Sequence, residues 1–130
     1  MRVSDTTTRG IRIEVESRYE PERSSPAESY YFFSYHVRIS NLGEATAQLV
    51  SRLWIITDAD GEVQRVEGPG VVGETPLLAP GSAFDYSSFC PLRTSVGTME
   101  GHYVMEVAAT GARFEARIAP FTLAVPGAVN

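Results

Sequence analysis

YFFSYHVRIS, residues 31–40, carries the strongest structural signal in this chain. From Tyr31 to Ile39 every second residue is aromatic or aliphatic, and the residues between them include His36 and Arg38. Side chains point alternately to the two faces of a β-strand, so a period of two predicts a strand with one buried face. We therefore expect a long strand here, ending at the turn-forming residues that follow it.

Alternating segments lie on both sides of this strand. From Gly10 to Tyr19, apolar residues alternate with charged ones, which predicts a half-buried strand. Residues 20–29 are polar and contain Pro21 and Pro26, which predicts a loop. Ala47–Thr57 carries apolar residues on both faces, as expected of a central strand covered on both sides or of a strand with a bulge. A helix competes for this segment, but its Val, Ile, Trp and Thr residues favour a strand.

The second half of the chain keeps the same period. Asp58–Gly61 predicts a hairpin loop, and Glu62–Glu67 is the expected returning strand. Three more strands are expected at Ala83–Ser88, Gly101–Ala108 and Arg113–Ala119, with Phe121–Val125 continuing the last one past Pro120 and Pro91–Val96 as a connection. Seven or eight short strands without a convincing helix predict an all-β fold, an antiparallel sandwich of the immunoglobulin or fibronectin type III kind.

Tyr103 has two interpretations in such a sandwich. It follows Gly101 at the start of a late strand, where sandwich domains often fix a corner by bonding a Tyr hydroxyl to nearby backbone. The alternative is an ordinary core Tyr, whose hydroxyl finds some other partner.

Length and composition predict a single domain, with its core at about residues 10–126, flexible ends and a frayed tail from Pro126. The net charge is −5 and the 11 basic residues, all Arg, are scattered, which argues against binding to nucleic acid or to an anionic membrane. Cys90 is the single cysteine, so no intrachain disulfide can form. No stretch approaches the about 20 apolar residues of a membrane span, and the first residues lack a signal-peptide core, so we expect a cytoplasmic protein.

A segment rich in Gly and Pro, Gly68–Gly81, interrupts the strand pattern. It contains the spacing G-x-G-x-x-G at Gly68, Gly70 and Gly73, which in dinucleotide-binding folds places backbone N–H groups around a pyrophosphate. That chemistry needs a helix after the glycines, and the prolines that follow make a helix unexpected. We interpret the segment as a shaped loop, with Val71 and Val72 in the core or facing a partner. Weak phosphate or nucleotide binding is the alternative.

Metal and catalytic sites are not expected. His36, His102 and Cys90 are far apart in sequence, whereas transition-metal sites use several such ligands at close spacing. The acidic residues of 58–62 are more simply turn residues than a calcium loop. Ser87, next to Ser88, lies near a strand end, but no G-x-S-x-G elbow is present. We therefore expect no catalytic residue, no cofactor and no bound metal.

Spaced motifs over most of the chain resemble the bacterial ApaG family. They are Asn41-Leu42-Gly43, Trp54 with Ile56-Thr57-Asp58 and Gly61, Gly68-x-Gly70-Val71-Val72-Gly73-x-x-Pro76-x-Leu78-x-Pro80-Gly81, Phe84-x-Tyr86-x-Ser88, Thr94-x-x-Gly97-x-Met99-x-Gly101-x-Tyr103-x-Met105, and Phe121-x-Leu123-Ala124-Val125-Pro126. The resemblance implies a fibronectin type III-like sandwich, an indirect link to cobalt and magnesium tolerance, and a role as a protein-binding module. It implies no reaction.

The resulting hypothesis is a non-catalytic interaction domain with an unidentified protein partner. Self-association through free strand edges is a further possibility. The candidate binding residues lie in and beside the glycine motif: Gly68, Gly70, Val71, Val72, Gly73 and Glu74.

Overall fold

Two antiparallel β-sheets pack face to face in the computed structural model, which describes residues 1–128. The described residues form nine strands and two short 3-10 helices: β1 (Val3–Thr8), β2 (Ile11–Tyr19), Pro21–Arg23 and Pro26–Glu28 (3-10), β3 (Tyr31–Asn41), β4 (Ala47–Asp58), β5 (Val63–Pro69), β6 (Leu77–Leu78), β7 (Ala83–Leu92), β8 (Val96–Val107) and β9 (Arg113–Ala124). The first sheet has the order β1-β2-β3-β7 and the second β5-β4-β8-β9, with β6 also paired to β4. The all-β sandwich is confirmed. Neither helix of the described chain is long enough to cross a membrane.

Strand β3, the segment with the clearest alternation, lies inside the first sheet and pairs with β2 on one side and β7 on the other. Its inward residues, among them Phe33 and Val37, are fully buried, while His36 and Arg38 face outward. The expected loop at residues 20–29 contains the two 3-10 turns. The alternation thus predicted both the strand and its buried face.

Strand β1 differs from the sequence expectation. Val3–Thr8 pairs with β2 along its whole length, although these residues fall outside the core expected at 10–126 and in an end expected to be flexible. The segment is polar and rich in Thr, so it lacks the apolar period that marks the other strands. Backbone pairing to β2 and contact with β9 place it instead. With β6, it raises the strand count above the expected seven or eight.

A bulge in β4 explains why both of its faces look apolar. The pairing with β8 shifts between Leu49 and Ser51, so that Val50 is one extra residue on β4. An inserted residue reverses which face each later side chain occupies. Leu49 before the bulge and Trp54 after it therefore both point into the core. Of the two explanations offered by the sequence, the bulge is present.

Trp54 is the centre of an aromatic cluster between the sheets. Its ring lies 5.3 Å from that of Tyr35, 5.9 Å from Phe121 and 6.3 Å from Tyr103, all edge to face. Edge-to-face pairs add to the burial energy of large rings. Residues from four strands meet here, which fixes the position of the two sheets relative to each other.

Tyr103 is a core residue and does not form the expected corner. Its side chain is fully buried, and its hydroxyl bonds the hydroxyl of Tyr86 on the opposite sheet rather than nearby backbone. The corner prediction was therefore wrong, and the alternative, a core Tyr with another partner, is what the structure contains.

Two strand ends also differ from expectation. β7 continues through Pro91 to Leu92, where a connection was expected, and β8 begins already at Val96. Proline is tolerated in an edge strand when its nitrogen faces away from the neighbouring strand. β9 continues past Pro120, as predicted, and this proline lies where the pairing with β8 shifts register. Of the tail expected to fray, residues 129 and 130 lie outside the described residues.

The two sides of the sandwich are closed differently. On one side the first sheet is tied to β9: the Thr122 N–H donates to the Met1 carbonyl at 2.6 Å, and the Ser17 hydroxyl donates to the Thr122 carbonyl at 2.6 Å. The backbone N–H of Arg117 also donates to the Thr8 hydroxyl at 3.2 Å. On the other side, β5 and β7 are the terminal strands of their sheets. The glycine-rich segment follows β5 on this second side.

Candidate functional site

The glycine motif folds into a tight hairpin after β5. Val71 and Glu74 exchange two backbone hydrogen bonds, both 2.8 Å, so that only Val72 and Gly73 form the turn. Both turn residues have positive φ, +42° and +80°. Positive φ at both central residues is the signature of a type I′ turn, which matches the twist of paired strands. We call residues 68–74 the glycine hairpin.

Val72 is an unusual residue for the tip of this hairpin. A β-branched side chain is strongly disfavoured at positive φ, where Asn or Gly is the normal choice. The Val72 side chain is 56% exposed, so burial does not compensate for the strain. Val71, its neighbour, is buried in the core at 1% exposure. Val71 therefore lies in the core, as one of the two interpretations expected, and Val72 lies on the surface.

Two of the motif glycines are explained by close packing. Gly70 has φ of +60°, and a Cβ built there would collide with the carbonyl oxygen of Glu74 across the hairpin. Gly68 lies in β5, where a Cβ would lie 3.1 Å from the guanidinium of Arg52. Gly73, with φ of +80°, is the second turn residue, so the shape of the hairpin accounts for Gly70 and Gly73 without a ligand.

Arg52 holds the base of the glycine hairpin. Its Nη1 donates to the Pro69 carbonyl at 3.0 Å and to the Gly70 carbonyl at 2.9 Å. Arg52 pairs with the buried Tyr103 on β8, so its side chain starts from the inner face of the sheet. Sequence reasoning did not find this residue, because only the bulge at Val50 places it on that face.

The backbone donors of the glycine hairpin are mostly occupied. The Gly70 N–H donates to the Val50 carbonyl at 2.9 Å, and the N–H groups of Val71 and Glu74 bond each other's carbonyls. Pro69 has no N–H. No α-helix follows the hairpin in residues 74–128, where the next element is the short strand β6. The arrangement therefore lacks the helix N-terminus that holds a pyrophosphate in dinucleotide-binding folds.

A second polar cluster lies on the outer face of the first sheet. His36 Nδ1 is 3.1 Å from the Ser87 hydroxyl, and His36 Nε2 is 2.9 Å from Asp85 Oδ1. Arg38 Nη1 also donates to Asp85 Oδ2 at 2.7 Å. Sequence reasoning missed this cluster, because only the register of β3 against β7 brings these side chains together.

The order Ser, His, carboxylate of this cluster matches that of a nucleophilic triad, but its surroundings do not. The His36 side chain is 54% exposed and that of Asp85 40%, so the cluster does not exclude water. Asp85 is shared between His36 and Arg38, one partner on each carboxylate oxygen, so it is not dedicated to His36. We interpret the cluster as cross-strand pairing on a solvated sheet.

The candidate metal ligands are not brought together. His36 and His102 lie on different sheets, and Cys90 is buried. Within residues 1–128, no group of three or more His, Cys, Asp or Glu side chains is placed to hold a metal ion. Burial raises the pKa of the Cys90 thiol to about 11, so the thiolate that metals and electrophiles require is scarce at neutral pH.

Comparison with known proteins identifies the family. The model of the ApaG domain matches residues 21–107. This chain belongs to the ApaG family. ApaG proteins of Anaeromyxobacter dehalogenans and Azotobacter vinelandii are 53% and 54% identical to it, over 98% and 92% of this chain and 100% and 94% of their own lengths.

Solved structures show the same fold. The crystal structure of an ApaA protein from Bordetella pertussis superposes with a TM-score of 0.88 at 50% identity, covering 91% of this ApaG-family chain and 95% of that chain. The C-terminal domain of wzt superposes with a TM-score of 0.55 at 11% identity, which shows a shared fold only.

Proposed function

We propose that this ApaG-family domain is a non-catalytic protein-binding module that contacts its partner through the tip of the glycine hairpin. The observation that carries the proposal is Val72, a β-branched residue held at φ of +42° with most of its side chain in solvent. Backbone strain persists where the surrounding structure enforces it, and it clusters at functional sites. An apolar side chain presented in this way is suited to fill a pocket on another protein.

The rigidity of the hairpin supports this proposal. Two hydrogen bonds from Arg52 fix its base, and the paired bonds between Val71 and Glu74 close its tip. A contact residue that is already fixed loses little conformational entropy on binding. The hairpin is therefore preorganised, which favours specific contact by a single side chain.

The neighbouring surface indicates the chemistry of the partner. Leu77, on β6 beyond the hairpin, is 61% exposed, and the side chains of Glu67 and Glu74 are exposed on either side of the tip. An apolar anchor with an acidic rim fits an apolar pocket bordered by Lys or Arg. The net charge of −5 on this chain also favours a positively charged partner surface.

The test is affinity capture from a bacterial lysate with mass spectrometry, using the wild type and two variants as baits. Val72→Asn removes the apolar side chain and suits the turn, so the fold is retained. Val63→Asn is the matched control, because Val63 is 60% exposed on β5 and lies outside the hairpin. We expect a protein that the wild type and Val63→Asn retain and Val72→Asn loses. Equal retention by all three would contradict the proposal.

Weak phosphate binding at Gly68–Gly73 is the second candidate. It is favoured by the N–H groups of Val72 and Gly73, which donate to no acceptor among the described residues. Two adjacent backbone N–H groups can each donate a hydrogen bond to a phosphate oxygen. Isothermal titration with pyrophosphate, ATP and diadenosine tetraphosphate tests this candidate, and flat traces at millimolar ligand would end it.

We further propose that the domain acts in the cytoplasm and that any link to cobalt or magnesium tolerance is indirect, through the bound protein. The dispersed His and Cys residues support an indirect link. Equilibrium dialysis against CoCl₂ checks this, and one retained cobalt per chain would contradict it.

A further inference from the structure

Strand β7 presents an unpaired edge over its whole length. It pairs with β3 on one side, and among the described residues no strand lies on its other side. The strand has ten residues, Ala83–Leu92, and ends the first sheet on the side that β9 does not close. An unpaired edge of this length is a template for another strand.

The pairing of β3 shows which backbone groups of β7 are free. The Phe32 N–H donates to the Ser24 hydroxyl at 2.8 Å, and the Phe32 carbonyl accepts from the Glu20 N–H at 2.9 Å, so both point away from β7. Pro91 is paired with Phe32, so the backbone groups of Pro91 point away from β3, toward the free edge. The backbone groups of every second residue before Pro91 point the same way. These residues are Ala83, Asp85, Ser87 and Phe89.

The other terminal strands are better protected. β1 and β9 are joined by hydrogen bonds across the closed side. β5 has only seven residues and carries the exposed charges of Arg65 and Glu67. On β7 the one charged side chain, Asp85, is already bound by Arg38 and His36 of its own sheet. The edge of β7 therefore carries one charge, which is engaged within its own sheet, and one residue without an N–H, Pro91 near its end.

We propose that β7 pairs antiparallel with β7 of a second copy of this chain, about a two-fold axis at Ser87. This surface is separate from the glycine hairpin and goes beyond the function proposed above. In this register Ser87 faces Ser87, Asp85 faces Phe89, and Ala83 faces Pro91 of the second copy. The pairing joins the two first sheets into one continuous sheet of eight strands.

The β7 sequence is complementary to itself in this register. Every outward N–H from Ala83 to Phe89 meets a carbonyl, and the missing N–H of Pro91 leaves one carbonyl of each copy to solvent. No like charges face each other, because Asp85 lies opposite the Phe89 ring. Phe89 is 60% exposed and stacks on Phe32 at 5.2 Å, so the second copy covers an apolar surface that is already fixed.

The size of the contact sets its strength. One strand pair with a single exposed aromatic residue per copy lies at the small end of protein interfaces, so we expect a Kd of about 10 μM or weaker. Each copy carries a net charge of −5, and salt screens the repulsion between them. We therefore expect a larger dimer fraction at 0.5 M NaCl (about 4 Å screening length) than at 0.05 M.

Sedimentation equilibrium of the full chain, up to a loading of about 1 mM, tests the proposal against the expected Kd range. Phe89→Glu places a carboxylate opposite Asp85 of the second copy, twice in each dimer, and is expected to weaken association by about tenfold. Val63→Glu is the matched control, because Val63 is equally exposed, at 60%, and the charge change is the same. A second variant, Ser87→Pro, removes the two central hydrogen bonds and leaves the pairing with β3.

Three outcomes are distinguishable. Similar Kd values for the wild type and Val63→Glu, together with an about tenfold higher Kd for Phe89→Glu and a higher Kd for Ser87→Pro, support the proposal. A wild type that stays monomeric at both salt concentrations overturns it, and so does a dimer that Phe89→Glu weakens no more than Val63→Glu does. Capture of a partner through Val72 does not depend on β7, so either proposal can fail without the other.

Discussion

The hydroxyl of Tyr86 on β7 bonds the hydroxyl of Tyr103 on β8, across the interior of the sandwich. Both side chains are buried, at 7% and 0% exposure, so neither hydroxyl can turn to bulk water. The pair is a polar contact between the two sheets, surrounded by apolar core residues. Its energetic value depends on both members being present, because a buried hydroxyl without a partner is costly.

Removing one member of this pair is therefore expected to cost more than removing both. Tyr86→Phe leaves the Tyr103 hydroxyl buried and unpaired, and we expect a loss of about 1–3 kcal/mol in the free energy of unfolding. The double variant Tyr86→Phe/Tyr103→Phe should recover most of that loss. Urea denaturation followed by fluorescence measures all three proteins, and a double variant less stable than Tyr86→Phe would contradict the expectation.

Alkaline pH is expected to destabilise the fold. Burial raises the pKa of Tyr86 and of Tyr103 above the usual value near 10, and burial raises the pKa of Cys90 to about 11. The unfolded chain then loses these protons at lower pH than the folded chain does, so it binds fewer protons and stability falls as pH rises. The stabilisation is complete below about pH 8.5, where the unfolded thiol begins to ionise, and declines most above pH 10.

Urea midpoints measured between pH 7 and 11 give this dependence. The double variant Tyr86→Phe/Tyr103→Phe serves as its control, because it lacks two of the three buried phenols whose pKa burial raises, keeping only Tyr35, and it should show a shallower decline above pH 10. A decline of equal slope in both proteins would assign the pH dependence to other groups.

Val72→Asn is expected to stabilise the protein. Asn tolerates positive φ and is preferred at the first position of a type I′ turn, so the substitution relieves strain of about 1 kcal/mol or more. Val63→Asn, with similar exposure and no strain, should change stability by less than about 0.5 kcal/mol. Thermal unfolding of the three proteins checks the difference. If Val72→Asn proved less stable than the wild type, the strain assigned to Val72 would be absent.

Two glycines of positive φ are expected to respond differently to a methyl group. Gly70→Ala forces a Cβ against the Glu74 carbonyl, and we expect a loss of more than about 3 kcal/mol. Gly61 has φ of +83° with nothing within 4 Å of its Cβ position. Gly61→Ala is therefore expected to lower the free energy of unfolding by only about 1 kcal/mol, from the positive φ alone. Circular dichroism melts compare the two, and equal losses would show that the contact with Glu74 relaxes without cost.

The predictable parts of the fold are those where side chains alternate. Strands β2 and β3 followed directly from apolar residues at every second position, because one face of each is buried. β1 did not, because its Thr-rich segment is held by backbone pairing and leaves no apolar period to read. The Gly and Pro content of Gly68–Gly81 predicted a loop there, but not the hairpin that residues 68–74 form.

The residues that contact the glycine hairpin, and those of the polar cluster around His36, were not predictable. Arg52 reaches Gly70 because Val50 is bulged, and the sequence permits a bulge without locating it. The contact of His36 with Ser87 depends on strand register across a long connection, which local pattern does not specify. Contacts between distant strands are fixed by the assembled sheet.

The extra residue in β4, Val50, decides which face of the sheet each later side chain of that strand occupies. Deleting Val50 would turn every later position over, moving Trp54 to the solvent side and Leu53 inward, and it would carry Arg52 away from the hairpin carbonyls. One lost residue would thus empty the aromatic centre and release the candidate binding loop together. Chain length at this point is consequently under tighter constraint than the identity of the residue that supplies it.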